Sequence, residues 1–477
     1  MQKYILLLCI SFIFALSSSD IPNFSKYYKP YEFSDMDMFQ SSSKWSWHRY
    51  KQSEHFFVFW EAAFGSDPNS SSVPSDLRVD IDDLLAKAEQ FYQTNIVSTQ
   101  FCTVGQGKSY LDKYKMEIYL LYQTEWLATG SGYDNVIGAL WVNPTTCQPV
   151  GSTIGHEIGH SFQYQVYCDQ ILTGETGEYD FKSGFRYGYD GSSGGNGFWE
   201  QTAQWQSYQD YPSEFFEDWF YDWPNHNHRH FEHEYMRYSS YWFHEYLANK
   251  YGRSVIGNIW RNSKYPEDAL STYMRLYLNN DYSSLREELF DYAFKMATYD
   301  IDSLRSYSTD KEDLYNVKFI QNGDYLQIAY SKCPGATGFN VIPLNLPTGS
   351  TRQVKASFVG LNPGDSLASG DSGIWVKEES NGGTVTTYNS VNKGNVGWRY
   401  GFVSLNSDGT RTYSTVYNSS KATAKFTVPT NASKLFMVVQ GSPNTYIKSS
   451  CTWTFSICNL KIISILIEFN IVKIFFI

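Results

Sequence analysis

Two histidines four residues apart, with a glutamate directly after the first, stand in Gly155-His156-Glu157-Ile158-Gly159-His160-Ser161-Phe162-Gln163-Tyr164-Gln165-Val166. On a helix, residues at this spacing share a face. His156 and His160 can therefore aim two imidazole nitrogens at one point about 2.0–2.1 Å from each, the Zn–N distance. Glu157, one residue on, can reach past a metal to its open coordination position and take a proton from water held there. This is the chemistry of metal-assisted hydrolysis. The bland alternative is a pair of satisfied surface histidines on a helix.

Two ligands do not complete a site, and the third must come from further along the chain. The best candidate is Glu200, in Gly197-Phe198-Trp199-Glu200-Gln201-Thr202-Ala203-Gln204-Trp205, forty residues past His160. It opens a segment of good helix formers with aromatics spaced for burial, and Ala203 is small enough to let this helix approach the first. Asp169, Glu175 and Glu178 are rivals in a Gly-rich stretch. A metzincin would need Gly three residues after the second His and a third His at six; Gln163 and Val166 occupy those positions, so that class is excluded. The order His-Glu-x-x-His, then Glu-x-x-Ala, resembles the gluzincin metallopeptidases, in which a second helix supplies a glutamate ligand. The resemblance covers two short stretches and their order. It implies one Zn2+ held by His156, His160 and Glu200, with water in the fourth place and Glu157 as the base. Gln204 stands where the thermolysin-like pattern has an acid that hydrogen-bonds a ligand histidine; an amide oxygen can still accept such a bond.

Stepping outward, Gly151-Ser152-Thr153 leads into the metal helix, with Ser152 or Thr153 as its expected N-cap. Val136 to Val142 reads as the strand before it. In zincin-type sites that strand is a sheet edge that pairs with extended substrate, and the aminopeptidases of the gluzincin class carry a glutamate there in Gly-Ala-Met-Glu-Asn. Here Gly138-Ala139-Leu140-Trp141 places Trp141 in that position, which points away from an aminopeptidase and toward an endopeptidase. Ser53 to Trp60 reads as a buried strand, and Lys115 to Tyr122 as another. Leu77, Ile81, Leu84, Leu85, Ala88, Phe91 and Tyr92 recur at helical spacing. The Gly-, Tyr- and Ser-rich stretch from Leu172 to Gly197 reads as a cleft wall or a lid.

Downstream of Glu200 lie His226, His228, His230, His233 and His244. They read as a polar, partly solvated loop beside the cleft rather than a second metal site. Residues 233–250 are expected to form one helix. On it, Tyr238 is the first choice for holding the oxyanion of a tetrahedral intermediate and His233 the second. Further helices are expected over 254–262, 268–278 and 283–297.

A formal charge of -11 and the absence of basic runs exclude nucleic-acid binding. Lys3 followed by the apolar Ile5 to Leu16 and Ser17-Ser18-Ser19 reads as a signal peptide over 1–19. Export implies an oxidising compartment for the six remaining cysteines, where Cys102 with Cys147, and Cys333 with Cys451, would each close a loop within one domain. Asn-x-Ser sequons begin at Asn23, Asn69, Asn418 and Asn431 and fit a glycoprotein. Near Asp310 the composition shifts to Gly, Thr, Val and Ser in short alternating runs, an all-β pattern. Residues 457–477 shift again, to Ile, Phe, Asn and Lys, all with AT-rich codons, and read as translated non-coding sequence. Lys461, Glu468 and Lys473 disfavour a membrane anchor there.

The order of pieces also looks like an uncharacterised family of secreted bacterial and fungal zincin-like proteins, through Ser53-Glu54-His55-Phe56, the His156 to Tyr164 stretch and Gly397-Trp398-Arg399-Tyr400-Gly401-Phe402-Val403. The expected fold is α+β: a zincin-like catalytic domain over 20–310, with a mixed sheet, an active-site helix and a helical lower half, then a β-sandwich or jelly roll over 311–456. The expected function is that of a secreted zinc metallopeptidase acting on protein or peptide, with glycoproteins one candidate class. The alternative is a secreted carbohydrate- or cell-surface-binding protein without catalysis.

Overall fold

The structure is a computed structural model that describes residues 24–177, 195–233, 236–265, 267–348, 350, 352–362, 365–372, 378–380, 383–385, 395–446 and 465–470. It is mixed α+β, with one mixed sheet and several antiparallel ones. The expected signal peptide and most of the 172–197 stretch lie outside the described residues.

The N-terminal half is built on five strands: β1 (Tyr50–Gln52), β2 (Phe56–Trp60), β3 (Met116–Leu120), β4 (Ala128–Tyr133) and β5 (Ile137–Val142). Their order is β1-β2-β3-β5-β4. The central β2, β3 and β5 are parallel, with β1 and β4 antiparallel on the two edges. β2 and β3 are buried at every residue. That is why they read as continuous apolar runs: a parallel sheet covered on both faces has no polar side.

β4 carries the main correction to the sequence reading. β5 precedes the helix that carries His156 and His160 but is interior; the edge is β4, the sequence Ala-Thr-Gly-Ser-Gly-Tyr. Such a segment lacks the β-branched alternation that marks a strand. Its smallness has a packing cause. A Cβ on Gly130 would lie 1.9 Å from the Glu157 carbonyl oxygen, and one on Gly132 would lie 2.2 Å from the Tyr164 ring. The helix lies directly on these glycines.

Helix α1 (Ile81–Gln93) is capped by Asp80, whose carboxylate accepts from the Asp82 and Asp83 N–H groups. It runs into a π-turn over Thr94–Ser98. Helix α2 (Ser152–Leu172), which carries His156 and His160, starts after Gly151, so Ser152 is its first residue and not its cap. It is buried from Ile154 through Cys168, clamped between the sheet and α3 (Gly195–Tyr208). After the short α4 (Trp223–His226) come α5 (Trp242–Tyr251), α6 (Ser254–Asn262), α7 (Ala269–Tyr277) and α8 (Tyr282–Met296). The helix expected over 233–250 begins only at Trp242. Ser240 donates its hydroxyl to the Phe231 carbonyl and Trp242 its indole N–H to the Ser239 carbonyl, pinning the preceding residues in turns.

The C-terminal half carries β6 (Phe319–Asn322), β7 (Tyr325–Ile328), β8 (Phe339–Leu344), β9 (Gln353–Gly360), β10 (Glu378–Ser380), β11 (Gly383–Val385), β12 (Trp398–Asn406), β13 (Arg411–Tyr413), β14 (Lys421–Thr427), β15 (Ala432–Gly441) and β16 (Ile465–Asn470). β10 and β11 form a hairpin. The others make two antiparallel sheets, β13-β12-β15-β8 and β14-β9-β16-β7-β6. Both sheets contribute to one buried cluster, with Phe358, Ala424 and Phe426 meeting Trp398, Tyr400, Phe402 and Met437. The other face of β12 and β15 offers Val403, Phe436 and Val438 to the core of the helical half. β9 and β14 therefore alternate buried and exposed, whereas β12 is buried almost throughout.

Among the described residues no helix is long and apolar enough to cross a membrane. Cys102, Cys147 and Cys168 are buried free thiols. The expected Cys102–Cys147 link is not formed; the thiol of Cys102 lies instead beside Asp169 and Cys168. Cys451 is outside the described residues.

Candidate metal centre

α2 and α3 bring three sequence-distant donors to one point. The Nε2 atoms of His156 and His160 lie 3.1 and 3.0 Å from Oε2 of Glu200. Among the described residues this is the one group of three or more His, Cys, Asp or Glu side chains placed to hold a metal, its donor atoms all within 4.8 Å of one another. Donors about 2.0–2.2 Å from a tetrahedral cation stand roughly 3.3–3.5 Å apart, so the set needs little adjustment.

The outer ring nitrogens supply the test of fit. Nδ1 of His156 lies 2.9 Å from Oε1 of Gln204, and Nδ1 of His160 lies 3.2 Å from Oε1 of Gln163. With each Nδ1 donating its proton to an amide oxygen, both Nε2 lone pairs face the Glu200 carboxylate. Three acceptors converging in a buried place are reconciled by a cation, and the donor set His, His, Glu suits zinc. The carboxylate and the imidazoles are also coupled electrostatically. Burial pushes the Glu200 carboxyl up, but the His160 and His156 imidazoles outweigh it and hold it well below the usual carboxylate range. Burial pulls His160 down, and the Glu200 charge overrides it and raises its pKa.

Glu157 turns toward β4, where its Oε2 accepts the Gly130 N–H at 2.5 Å. The triad and Glu157 open onto a cleft of about 620 Å3. One wall is the edge strand, through Ala128 to Ser131; another is formed by Tyr208, Glu214, Asp218, Trp219 and Tyr238. Tyr238 sits with its ring centroid 6.0 Å from that of His156 and packs on Trp219 at 4.8 Å. Burial, then the charge of Glu200, pushes its hydroxyl up to about 12.

The remaining candidates fall elsewhere. Asp169 lies on α2 more than two turns beyond His160, where it accepts from the Tyr110 N–H and the Gln165 amide. Glu175 follows the end of α2 and is not part of the triad, and Glu178 is outside the described residues. His233 is 1% exposed and does not line the cleft. The histidine-rich segment is not the partly solvated loop expected: His228, His230 and His233 are buried. The connection before β8 packs on His228 and its neighbours, with the Gly335 N–H donating to the His228 carbonyl at 2.7 Å and the Phe339 N–H to the Asn227 carbonyl at 3.0 Å. Trp141, on the interior β5, stacks on Tyr119 and does not reach the cleft. It therefore does not occupy the place of an amine-binding glutamate.

Two participants escaped the sequence reading, Gly130 and Gln163. Gly130 had a signal: glycine at alternate positions, 130 and 132, marks a strand pressed against a helix. Gln163, three residues after His160, carries no sequence signal beyond excluding a metzincin. A family model matches the chain over residues 20–456, and its description is that of a family of unknown function. No curated protein and no solved structure matches the chain.

Proposed function

The chain belongs to the DUF6055 family, whose function is unknown, and we propose that this member is a secreted zinc-dependent endopeptidase of gluzincin type. In this reading the N-terminal half is a zincin-like catalytic domain and the C-terminal sheets are a β-sandwich packed against it. The observation that carries the reading is the meeting of His156, His160 and Glu200 at the floor of a cleft that Glu157 also faces.

His156, His160 and Glu200 would hold the ion. When bound, zinc supplies Lewis acidity, polarising a carbonyl oxygen and lowering the pKa of water toward about 7. The chain's own groups do the rest. Glu157 takes the proton of the attacking water and returns it to the departing amine. The Gly130 N–H fixes one carboxylate oxygen of Glu157, leaving the other for that transfer. The Tyr238 hydroxyl, protonated throughout the neutral range, is the nearest candidate to donate to a developing oxyanion. The edge strand β4 suits an extended peptide, which can add to it through backbone hydrogen bonds. β4 contains no acidic residue, in keeping with an endopeptidase rather than an enzyme that grips a free amine.

Purified protein decides the matter. One zinc per chain with chelator-sensitive cleavage of casein is the expected result. Glu157→Gln should keep the zinc and lose cleavage. A protein that binds insoluble polysaccharide, carries no zinc and cuts nothing would favour the carbohydrate-binding alternative.

A further inference from the structure

Behind His160 the hydrogen bonds continue into the fold. Gln163 receives the ring on Oε1 and uses both protons of Nε2, one on the Trp199 carbonyl at 3.1 Å and one on Gln206 Oε1 at 3.1 Å. Gln206 Nε2 donates to Asn95 Oδ1 at 2.5 Å, and Asn95 Nδ2 donates to the Phe91 carbonyl of α1 at 2.9 Å. Gln163, Gln206 and Asn95 are buried, at 2%, 1% and 1% exposure. Gly159, inside the motif itself, makes the room: a Cβ there would lie 2.9 Å from Gln206 Oε1 and 3.2 Å from the Ala203 Cα.

The direction of this chain of amides is fixed at its far end. A backbone carbonyl only accepts. The Phe91 carbonyl therefore draws the NH2 of Asn95 and leaves Oδ1 facing Gln206, which must present its own NH2 there and its oxygen to Gln163. The Trp199 carbonyl imposes the same orientation on Gln163 independently. The last acceptor, Gln163 Oε1, then calls for a proton on Nδ1 of His160, and a proton on Nδ1 leaves Nε2 with the lone pair a metal requires.

We propose that Asn95, Gln206 and Gln163 are positioning residues that fix the tautomer and orientation of His160 through an uncharged amide relay anchored on α1. This inference rests on the metal-site reading above. It makes the π-turn holding Asn95 part of the metal centre, although Asn95 touches neither metal ligand nor cleft. Amides perform the task without adding a third carboxylate beside Glu200 and Glu157.

The test compares zinc dissociation constants, by competition with a chromophoric chelator, for the full chain and for Asn95→Leu and Asn95→Asp, with the melting temperature of each. Leucine keeps the size and removes both hydrogen bonds. Aspartate keeps the acceptor for Gln206 and loses only the donation to Phe91. Asn95→Leu should weaken zinc binding roughly 10–100-fold, the usual effect of removing an outer-shell partner. Asn95→Asp should bind near the wild-type level even where its melting temperature falls. Wild-type affinity in Asn95→Leu, or an equal loss in both variants, would overturn the relay while leaving the metal site standing. A wild-type chain that takes up no zinc would sink both. Should Asn95→Leu fail to fold, Gln163→Leu against Gln163→Glu poses the same contrast one step nearer the ring.

Discussion

At the scale of single residues, the division of labour follows from what each side chain touches. Glu200 meets both imidazoles, whereas Glu157 meets the edge strand. Glu200→Ala should therefore lose zinc, measured by metal analysis after dialysis; full retention would mean that another group completes the shell. Tyr238 stands over the cleft with a hydroxyl that stays protonated through neutral pH. Tyr238→Phe should lower kcat by about 10²–10³, the usual cost of one oxyanion donor, with KM little changed. An unaltered kcat would remove Tyr238 from the mechanism.

Between residues and whole molecule lie the contacts of elements, and the closest is α2 against β4. No side chain fits between Gly130 and the Glu157 backbone. Gly130→Ala should force the helix off the strand, costing about 1–3 kcal/mol as an overpacked site and displacing the Glu157 carboxylate. Melting temperature and cleavage should fall together, unlike Glu157→Gln, which should lose cleavage alone. An alanine variant with wild-type melting would show that β4 yields easily. α3 approaches α2 closely because Gly159 and Ala203 face each other, and this contact places Glu200.

Taken as one body, the molecule is joined where the histidine-rich segment passes under the connection before β8. Burial lowers the pKa of all five histidines there and nearby: His226 to about 4, His230 and His244 to about 3, and His228 and His233 well below the ordinary value. Unfolded histidine titrates near 6.5, so below that pH the unfolded chain binds more protons than the folded one. Stability should be greatest above about pH 6.5 and fall as the pH drops toward 4, by roughly 1.4 kcal/mol per pH unit for each fully buried histidine. Melting temperatures of the zinc-loaded protein at pH 7.5, 6 and 5 measure this. A flat profile would mean that the segment is solvated in solution.

Local chemistry was legible in the sequence wherever a residue's role depends on its own neighbours along the chain. His156, Glu157 and His160 share one stretch of helix, so spacing alone placed them, and the apolar runs of β2, β3 and β5 announced buried strands. The all-β pattern after residue 310 was equally local. What spacing could not reach were roles set by contact between distant segments. Which strand forms the sheet edge depends on strand order, and β4 hid among glycines whose meaning lies in the helix above them. The burial of His228 and His230 depends on a connection a hundred residues later. Gln163, Gln206 and Asn95 acquire a common purpose only once α1, α2 and α3 are packed. A hydrogen bond has direction, but that direction is fixed by whichever carbonyl folding brings to its end.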